Sequence, residues 1–183
     1  MAAGSTQERR ARQILAEVLG VAVQEVVSTG PVGGMTNRNF LCAYGARRYV
    51  VRIPGEGTGA MVNREREQVH TRTAQAYGWH PQVLYFDADG VKVTAYVEGA
   101  RTLGGGLASR PDVLAGVART LRELHESAFT MTADFSFRTE YARYVSMLTA
   151  PVSPTRYPQY AVCARVLPEL ERRSVQLGAE RVP

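Results

Sequence analysis

The run "NFLCAYG" turns at Gly45-Ala46 and comes straight back as "RRYVVRI". A link that short joins only antiparallel neighbours, because a parallel pair needs a crossover of about a dozen residues or more. "EVVSTGPV" comes before this pair, and Pro54-Gly55 closes it, proline being unable to donate to a strand ladder. Further on, "VLYFD" and "VKVTAYV" flank Asp89-Gly90, a strong short-range hairpin signal. Five antiparallel strands are therefore expected before residue 100.

Helices surround and interrupt these strands. Ser5-Thr-Gln-Glu8 is a capping box, Ile14, Leu15, Val18 and Leu19 follow at helical spacing, and Gly20 stands at the stop, which predicts a helix over 6–19. "NREREQVHTRTAQAYG" reads as one helix between strands three and four, with Val62, Arg66, Val69, Thr73 and Ala76 along its apolar side. After Leu103-Gly-Gly-Gly106 only helical patterns remain, so the glycine triplet is the expected boundary between regions 1–103 and 104–183. Ser109 and Asp112 around Pro111 predict a second helix start. Leu114, Val117, Ala118, Leu121 and Leu124 form a stripe, as do Phe137, Tyr141, Tyr144, Val145 and Leu148. "APVSPTRYP" separates a last helical stretch, interrupted or restarted at Pro168.

Composition narrows the function classes. No apolar run approaches the ~18 residues of a spanning helix, and "MAAGSTQERRARQILAEVLG" carries charge where a signal peptide is apolar. A soluble cytoplasmic protein without membrane insertion is expected. Cys42 and Cys163 have no Cys-x-x-Cys companion, so both read as small apolar residues and not as metal ligands or a disulfide. The net charge of +5 is the excess of 22 basic over 17 acidic residues, the basic ones scattered along the chain with Lys92 the single lysine. Without a basic patch or aromatic interleaving, nucleic acid is not an expected partner.

The element order resembles the small lobe of protein-kinase-like enzymes: five antiparallel strands with one inserted helix, then helices. The expected fold is thus α+β, a protein-kinase-like small lobe followed by the first helices of an incomplete helical large lobe. "GPVGGMTNRNF" would then cover nucleotide phosphates, with Gly33, Gly34, Thr36 and Asn37 between strands one and two; glycine lets the backbone come close and exposed amides donate to anionic oxygens. The loop lacks the G-x-G-x-x-G spacing of protein kinases. In "RRYVVRI" a period of two puts Arg48, Val50 and Arg52 on one face and Tyr49, Val51 and Ile53 on the other. Arg52 can grip phosphate oxygens through its planar fork, and Val50 can form an apolar floor for the base. A cation so placed needs a carboxylate from the inserted helix. Glu65 and Glu67 are both candidates, about 200° apart around the helix, so only one can face Arg52.

"GGMTNRNF", "YVVRIPGEGTGAMVNRERE", "VLYFDADGVKVTAYVEGARTL" and "LRELH" resemble bacterial choline kinases of the choline/ethanolamine kinase group, within the wider aminoglycoside-phosphotransferase-like kinases. The resemblance runs nearly the whole length and is strongest over residues 30–103. It implies Glu67 as the anchoring carboxylate, fourteen residues before Pro81. It implies base recognition by main-chain groups of Ala95 and Val97, beside Tyr96 and Glu98. It also implies ATP and Mg²⁺ as cofactors and a choline-like alcohol as acceptor. An aminoglycoside or other small-molecule phosphotransferase, or a catalytically dead nucleotide-binding module, are the alternatives.

The chain departs from that pattern in one respect. The family's H-x-D-x-x-x-x-N loop supplies the base and metal ligands, yet none of His70, His80 and His125 has Asp two residues on. "DFS" at 134–136 mimics a metal motif by coincidence, and His125 reads as structural. The chain stops at "GAERVP", where the resemblance would have the catalytic loop begin. A truncated kinase is expected, with no catalytic residue of its own and its metal ligands in the missing lobe.

Overall fold

The computed structural model describes residues 5–34, 36–130, 137–150, 153 and 156–177. "DFS" at 134–136 and the terminal "GAERVP" lie outside them. The chain forms two compact units, Met1–Phe129 and Thr130–Pro183.

The first unit opens with helix α1 (Thr6–Leu19). Ser5 Oγ accepts the Glu8 amide at 3.2 Å, and Gly20 closes the helix in the left-handed region at φ 68°. Strands β1 (Val26–Pro31), β2 (Asn37–Tyr44), β3 (Arg47–Pro54), β4 (Val83–Phe86) and β5 (Lys92–Ala95) build one antiparallel sheet in the order β1-β2-β3-β5-β4. The period of two sorts its residues as the sequence predicts. Phe40, Cys42, Tyr49, Val51 and Val93 are buried in one core with Ala11, Ile14, Leu15 and Ala16 of α1. Burying a Leu15 or a Val51 fully is worth about 1.5–3 kcal/mol each, so this face carries much of the unit's stability. Arg12 pins α1 to the sheet edge, its Nε donating to Val26 O at 2.7 Å and its Nη2 to Val23 O at 2.9 Å. Burial pushes the Cys42 thiol up to about 11, against a hydrogen bond from Ser28; Cys163, read alike as a small apolar residue, is exposed.

Helix α2 (Arg64–Ala76) starts at Asn63, whose Oδ1 accepts the Arg66 amide at 3.0 Å. Its inner face differs from the predicted stripe. Val62 precedes the helix and Val69 is exposed, whereas Arg64, Glu67, Gln68, Thr71 and Gln75 turn inward. Polar groups make its contacts: Gln75 Oε1 accepts the Val83 amide at 2.7 Å, and Gln68 Nε2 donates to Asp87 O. An apolar-period search cannot see such a face. The chain leaves α2 through Tyr77, Gly78 and Trp79. Tyr77 and Trp79 stack at 4.7 Å, and the Phe129 ring meets both edge-on at 5.9 and 5.8 Å.

Helix α3 (Gly105–Ala108) takes up two of the three glycines, and Ser109 ends it with αR backbone. Ser109 therefore does not cap the next helix, α4 (Pro111–Glu126). The extended residue there is Arg110, with Pro111 in the first turn and Arg110 paired to Asp112. No residue of α4 is buried, and Leu114 and Leu121 are about half exposed.

In the second unit α5 (Phe137–Ser146) and α6 (Tyr160–Gln176) touch through the Tyr141 and Tyr160 hydroxyls at 3.5 Å. Helix α6 runs unbroken through Pro168, where an interruption or restart was expected. Tyr144, Leu148, Val162, Val166 and Leu170 are exposed. No helix among the described residues is long and apolar enough to cross a membrane.

Candidate nucleotide site

The sheet face away from α1 mixes polar and apolar groups. Register places Arg52 directly between Asn39 of β2 and Lys92 of β5, and Val50 between Leu41 and Thr94. Arg52 is the hub. Its Nη1 donates to Glu67 Oε1, and its Nε and Nη2 donate to the Gly90 carbonyl at 3.3 and 2.9 Å. Arg52 and Glu67 thus form an ion pair, with side chains 12% and 21% exposed; Glu65 is exposed. Glu67 Oε2 accepts a second bond, from Arg64 Nη1 at 2.8 Å.

The third cation is Lys92. It lies with Arg52 over the same Phe86 ring, each 5.2 Å from its centroid. Its Nζ sits 3.3 Å from His80 Nε2, while His80 Nδ1 lies 2.7 Å from Pro81 O. A proton on Nδ1 satisfies both contacts, leaving Nε2 to accept from Lys92. The electrostatics follow from two guanidinium groups on one carboxylate, with the Lys92 ammonium beside Arg52. Burial alone would raise the Glu67 pKa, but the hydrogen bonds and charges of Arg52 and Arg64 outweigh it and hold the carboxyl below its usual range. Burial, then the Arg52 charge, lowers Lys92 against the attraction of Glu67. Burial also lowers His80, with Lys92 and Arg52 adding to it.

The glycine-rich segment borders this face. Gly34 has φ 135°, and a Cβ there would stand 2.2 Å from Asn37 O, so only glycine fits the turn. Asn39 Nδ2 donates to Gly33 O at 2.9 Å and the Val32 amide to Asn39 O at 2.8 Å, folding the loop back onto β2. Exposed Thr36 offers its carbonyl to the Gly55 amide at 3.0 Å. Asn37 begins β2 opposite Pro54, on the Arg52 side of the sheet.

After β5 the chain runs through the expected base-reading segment. The Ala95 amide donates to Gln82 O at 2.9 Å, and the Tyr96 amide to Arg48 O at 3.0 Å. The Arg48 side chain pairs with Glu98 and lies over the Tyr96 ring at 4.5 Å. Val97 between them is half exposed; its carbonyl accepts the Ala100 amide, and its own amide has no partner among the described residues.

Arg64, Lys92, His80 and Asn39 escaped the sequence reading. Three left a signal. Arg64 stands one helical turn before Glu67, and period two puts Lys92 and Asn39 on the Arg52 face. His80 left none, because a loop after Gly78 positions it. Carboxylates are scarce here: Glu67 has both oxygens on arginines, and no group of three or more metal-ligating side chains occurs among the described residues.

No protein-family model matches the chain. Protein LicA of Haemophilus influenzae is 32% identical over 133 residues, 72% of this chain and 39% of that protein. Among solved structures, choline kinase LicA from Streptococcus pneumoniae superposes with a TM-score of 0.77 at 27% identity, over 94% of this chain and 58% of that one. A LicA in complex with AMP gives 0.76 at 26%, over 95% and 59%. A choline/ethanolamine kinase family protein from Mesorhizobium loti gives 0.68 at 29%, over 95% and 55%. The chain thus spans between about two fifths and three fifths of the length of these relatives. The five-stranded sheet with its inserted helix is the small lobe of the kinase-like fold they share. In fold and in sequence, the chain is thus similar to kinases of the choline/ethanolamine kinase family.

Proposed function

We propose that this chain is the nucleotide-binding part of an ATP-dependent kinase that phosphorylates the hydroxyl of choline or a related amino alcohol. Residues 1–103 form its nucleotide lobe and 104–183 open its helical lobe. One observation carries the reading: Arg52 and Arg64 both pair with the single carboxylate of Glu67, and Lys92 stands with Arg52 over the Phe86 ring, on a sheet face bordered by a glycine-rich turn. The excess positive charge suits an anion such as a polyphosphate. Arg52 would grip the phosphates and Glu67 would anchor Arg52. Gly34, Thr36 and Asn37 would bring backbone and amide groups over them. Val50 would floor the base, and main-chain groups of Ala95 and Val97 would meet its edge, the unpartnered Val97 amide as donor. The AMP complex of a LicA supports nucleotide binding here.

The described residues do not fit Mg²⁺. Its hard, near-octahedral oxygen shell needs carboxylates, and the one carboxylate in the cluster is committed to two guanidinium groups. No histidine here carries the Asp two residues on that the family's base requires. A single positioned acid–base group is worth about 10²–10⁴-fold, so we expect no measurable phosphoryl transfer from these 183 residues. Titrating ADP into the chain tests the binding half: Arg52→Met should weaken ADP, and equal affinity would sink the site. ADP formation with choline, ethanolamine and an aminoglycoside tests the other half, comparing this chain with one extended through any downstream reading frame. Turnover by the 183-residue chain would overturn its assignment as non-catalytic.

A further inference from the structure

Between β3 and α2 lies "GEGTGAMVN", a segment to which neither the family likeness nor the proposed nucleotide site assigns a task. Its hydrogen bonds form a continuous strut. Arg64 Nη1 donates to Glu67 Oε2 at 2.8 Å, and Arg64 Nη2 donates to Thr58 Oγ1 at 2.7 Å. The Thr58 hydroxyl donates to Gly55 O at 2.8 Å, and the Gly55 amide donates to Thr36 O at 3.0 Å. The strut therefore begins on the carboxylate that anchors Arg52 and ends on the backbone of the glycine-rich loop. It is inside the protein for most of its length. Arg64 is 11% exposed and Thr58 7%.

Two glycines hold its shape. A Cβ on Gly55 would stand 2.2 Å from Thr36 O, breaking the last link. A Cβ on Gly90, at φ 93°, would stand 2.7 Å from Arg64 Nε. Gly90 thus leaves room for Arg64 while its carbonyl holds Arg52. Arg64 Nε is buried with no hydrogen-bond partner among the described residues. An orphaned buried donor costs stability, and a buried ion pair is weak evidence of net stabilisation. Stability alone is a poor reason for Arg64 to be where it is.

We infer that Arg64 and Thr58 are positioning residues that couple the glycine-rich loop to the Arg52–Glu67 pair, so that loop and cation engage the phosphates of a nucleotide as one unit. This rests on the nucleotide reading above. Neither residue needs to touch the phosphates. Arg64 orients Glu67, and Thr58 passes that orientation to the carbonyl of Thr36 through Gly55.

The test uses the 183-residue chain and two ligands, ADP and adenosine, which share the base and differ in phosphate. Affinities are measured by calorimetry for wild type, Arg52→Met, Arg64→Met, Thr58→Val and Thr58→Ser, with a thermal melt of each. Arg64→Met and Thr58→Val should weaken ADP roughly three- to tenfold, the size of coupling between residues in one network, and leave adenosine unchanged. Thr58→Ser, which keeps the hydroxyl, should bind ADP like wild type. The double variant should lose less than the product of the single losses, because both cut one path. Wild-type ADP affinity in both single variants, or equal loss of ADP and adenosine, overturns the coupling. Should Arg64→Met fail to fold, Thr58→Val decides, since it leaves the Arg64–Glu67 pair in place. If wild type ignores ADP, or Arg52→Met binds it undiminished, the nucleotide reading itself fails and takes the coupling with it.

Discussion

Helices α1 and α2 contact the same small sheet by opposite means. Helix α1 buries Ala11, Ile14, Leu15 and Ala16 against Phe40, Cys42, Tyr49, Val51 and Val93. Helix α2 has one buried residue, Thr71, and holds on through Arg64, Glu67, Gln68 and Gln75. Apolar contacts are non-directional and grow with area, so the buried face of α1 supplies stability without fixing any one atom, while Arg12 on the same helix ties it to the sheet edge. Hydrogen bonds and ion pairs are directional, contribute less net stability and penalise a missing partner. Helix α2 therefore fixes atoms, above all the two oxygens of Glu67. One helix keeps the sheet folded, and the other aims a charge.

The comparison breaks most easily at Leu15, which is fully buried. Leu15→Ala should cost about 2–5 kcal/mol of unfolding free energy, the range for buried leucines, as read by urea denaturation. If it costs no more than a surface change, α1 is not the stabilising partner.

Glu67→Gln comes next and should act on both stability and binding. Removing one member of a buried pair costs about 3–5 kcal/mol, and partial exposure of Glu67 reduces the expectation to roughly 1–3 kcal/mol. Loss of ADP affinity should exceed that of any strut variant. The pH dependence sharpens the point. The folded pKa of Glu67 lies below its unfolded value, so at mildly acid pH the unfolded chain binds more protons. The stability Glu67 contributes is complete above about pH 5 and drains away as pH falls through the folded pKa. Wild type should thus lose its margin over Glu67→Gln on acidification. A margin that stays constant in unfolding curves from pH 7 down to pH 3 would remove the ion pair as its source.

Lys92→Met should move stability the other way. The half-buried ammonium stands beside Arg52, and its lowered pKa reports a charge the fold disfavours. We expect a gain of about 0.5–1 kcal/mol, within the usual range of stabilising substitutions, together with weaker ADP binding. A loss of stability would show that Lys92 is structural. The smallest effect belongs to Arg48→Ala, whose pair with Glu98 is largely exposed. Surface pairs contribute about 0.2–1 kcal/mol, which a thermal melt in low and high salt should reveal as a small, salt-sensitive shift.

The α1 side was readable in advance and the α2 side was not. Ser5, Gly20 and the apolar spacing of Ile14 and Leu15 define α1. Alternation in "RRYVVRI" alone put Arg52 and Val50 on one face and Val51 on the other. By contrast, the stripe through Val62, Arg66, Val69, Thr73 and Ala76 marked the wrong side of α2, since apolar periodicity reports burial by hydrophobicity and this helix is held by polar contacts. Geometry left Glu65 and Glu67 open, and only the likeness to a family chose between them. Ser109 misled for a related reason: it has capping chemistry, but the end of α3 had already claimed its backbone.

The sequence by itself determined the first helix, the antiparallel sheet and which side of β3 each residue takes. Short-range physics governs those features: turn length, period two and capping act within a few residues of each other. Tertiary structure decided which charges meet. Arg52, Gly90 and Glu67 are far apart in sequence, and Thr36 reaches Arg64 only through Gly55 and Thr58. Such contacts depend on how the β3–α2 segment and the β4–β5 hairpin fold over one sheet, and no local pattern encodes that distance.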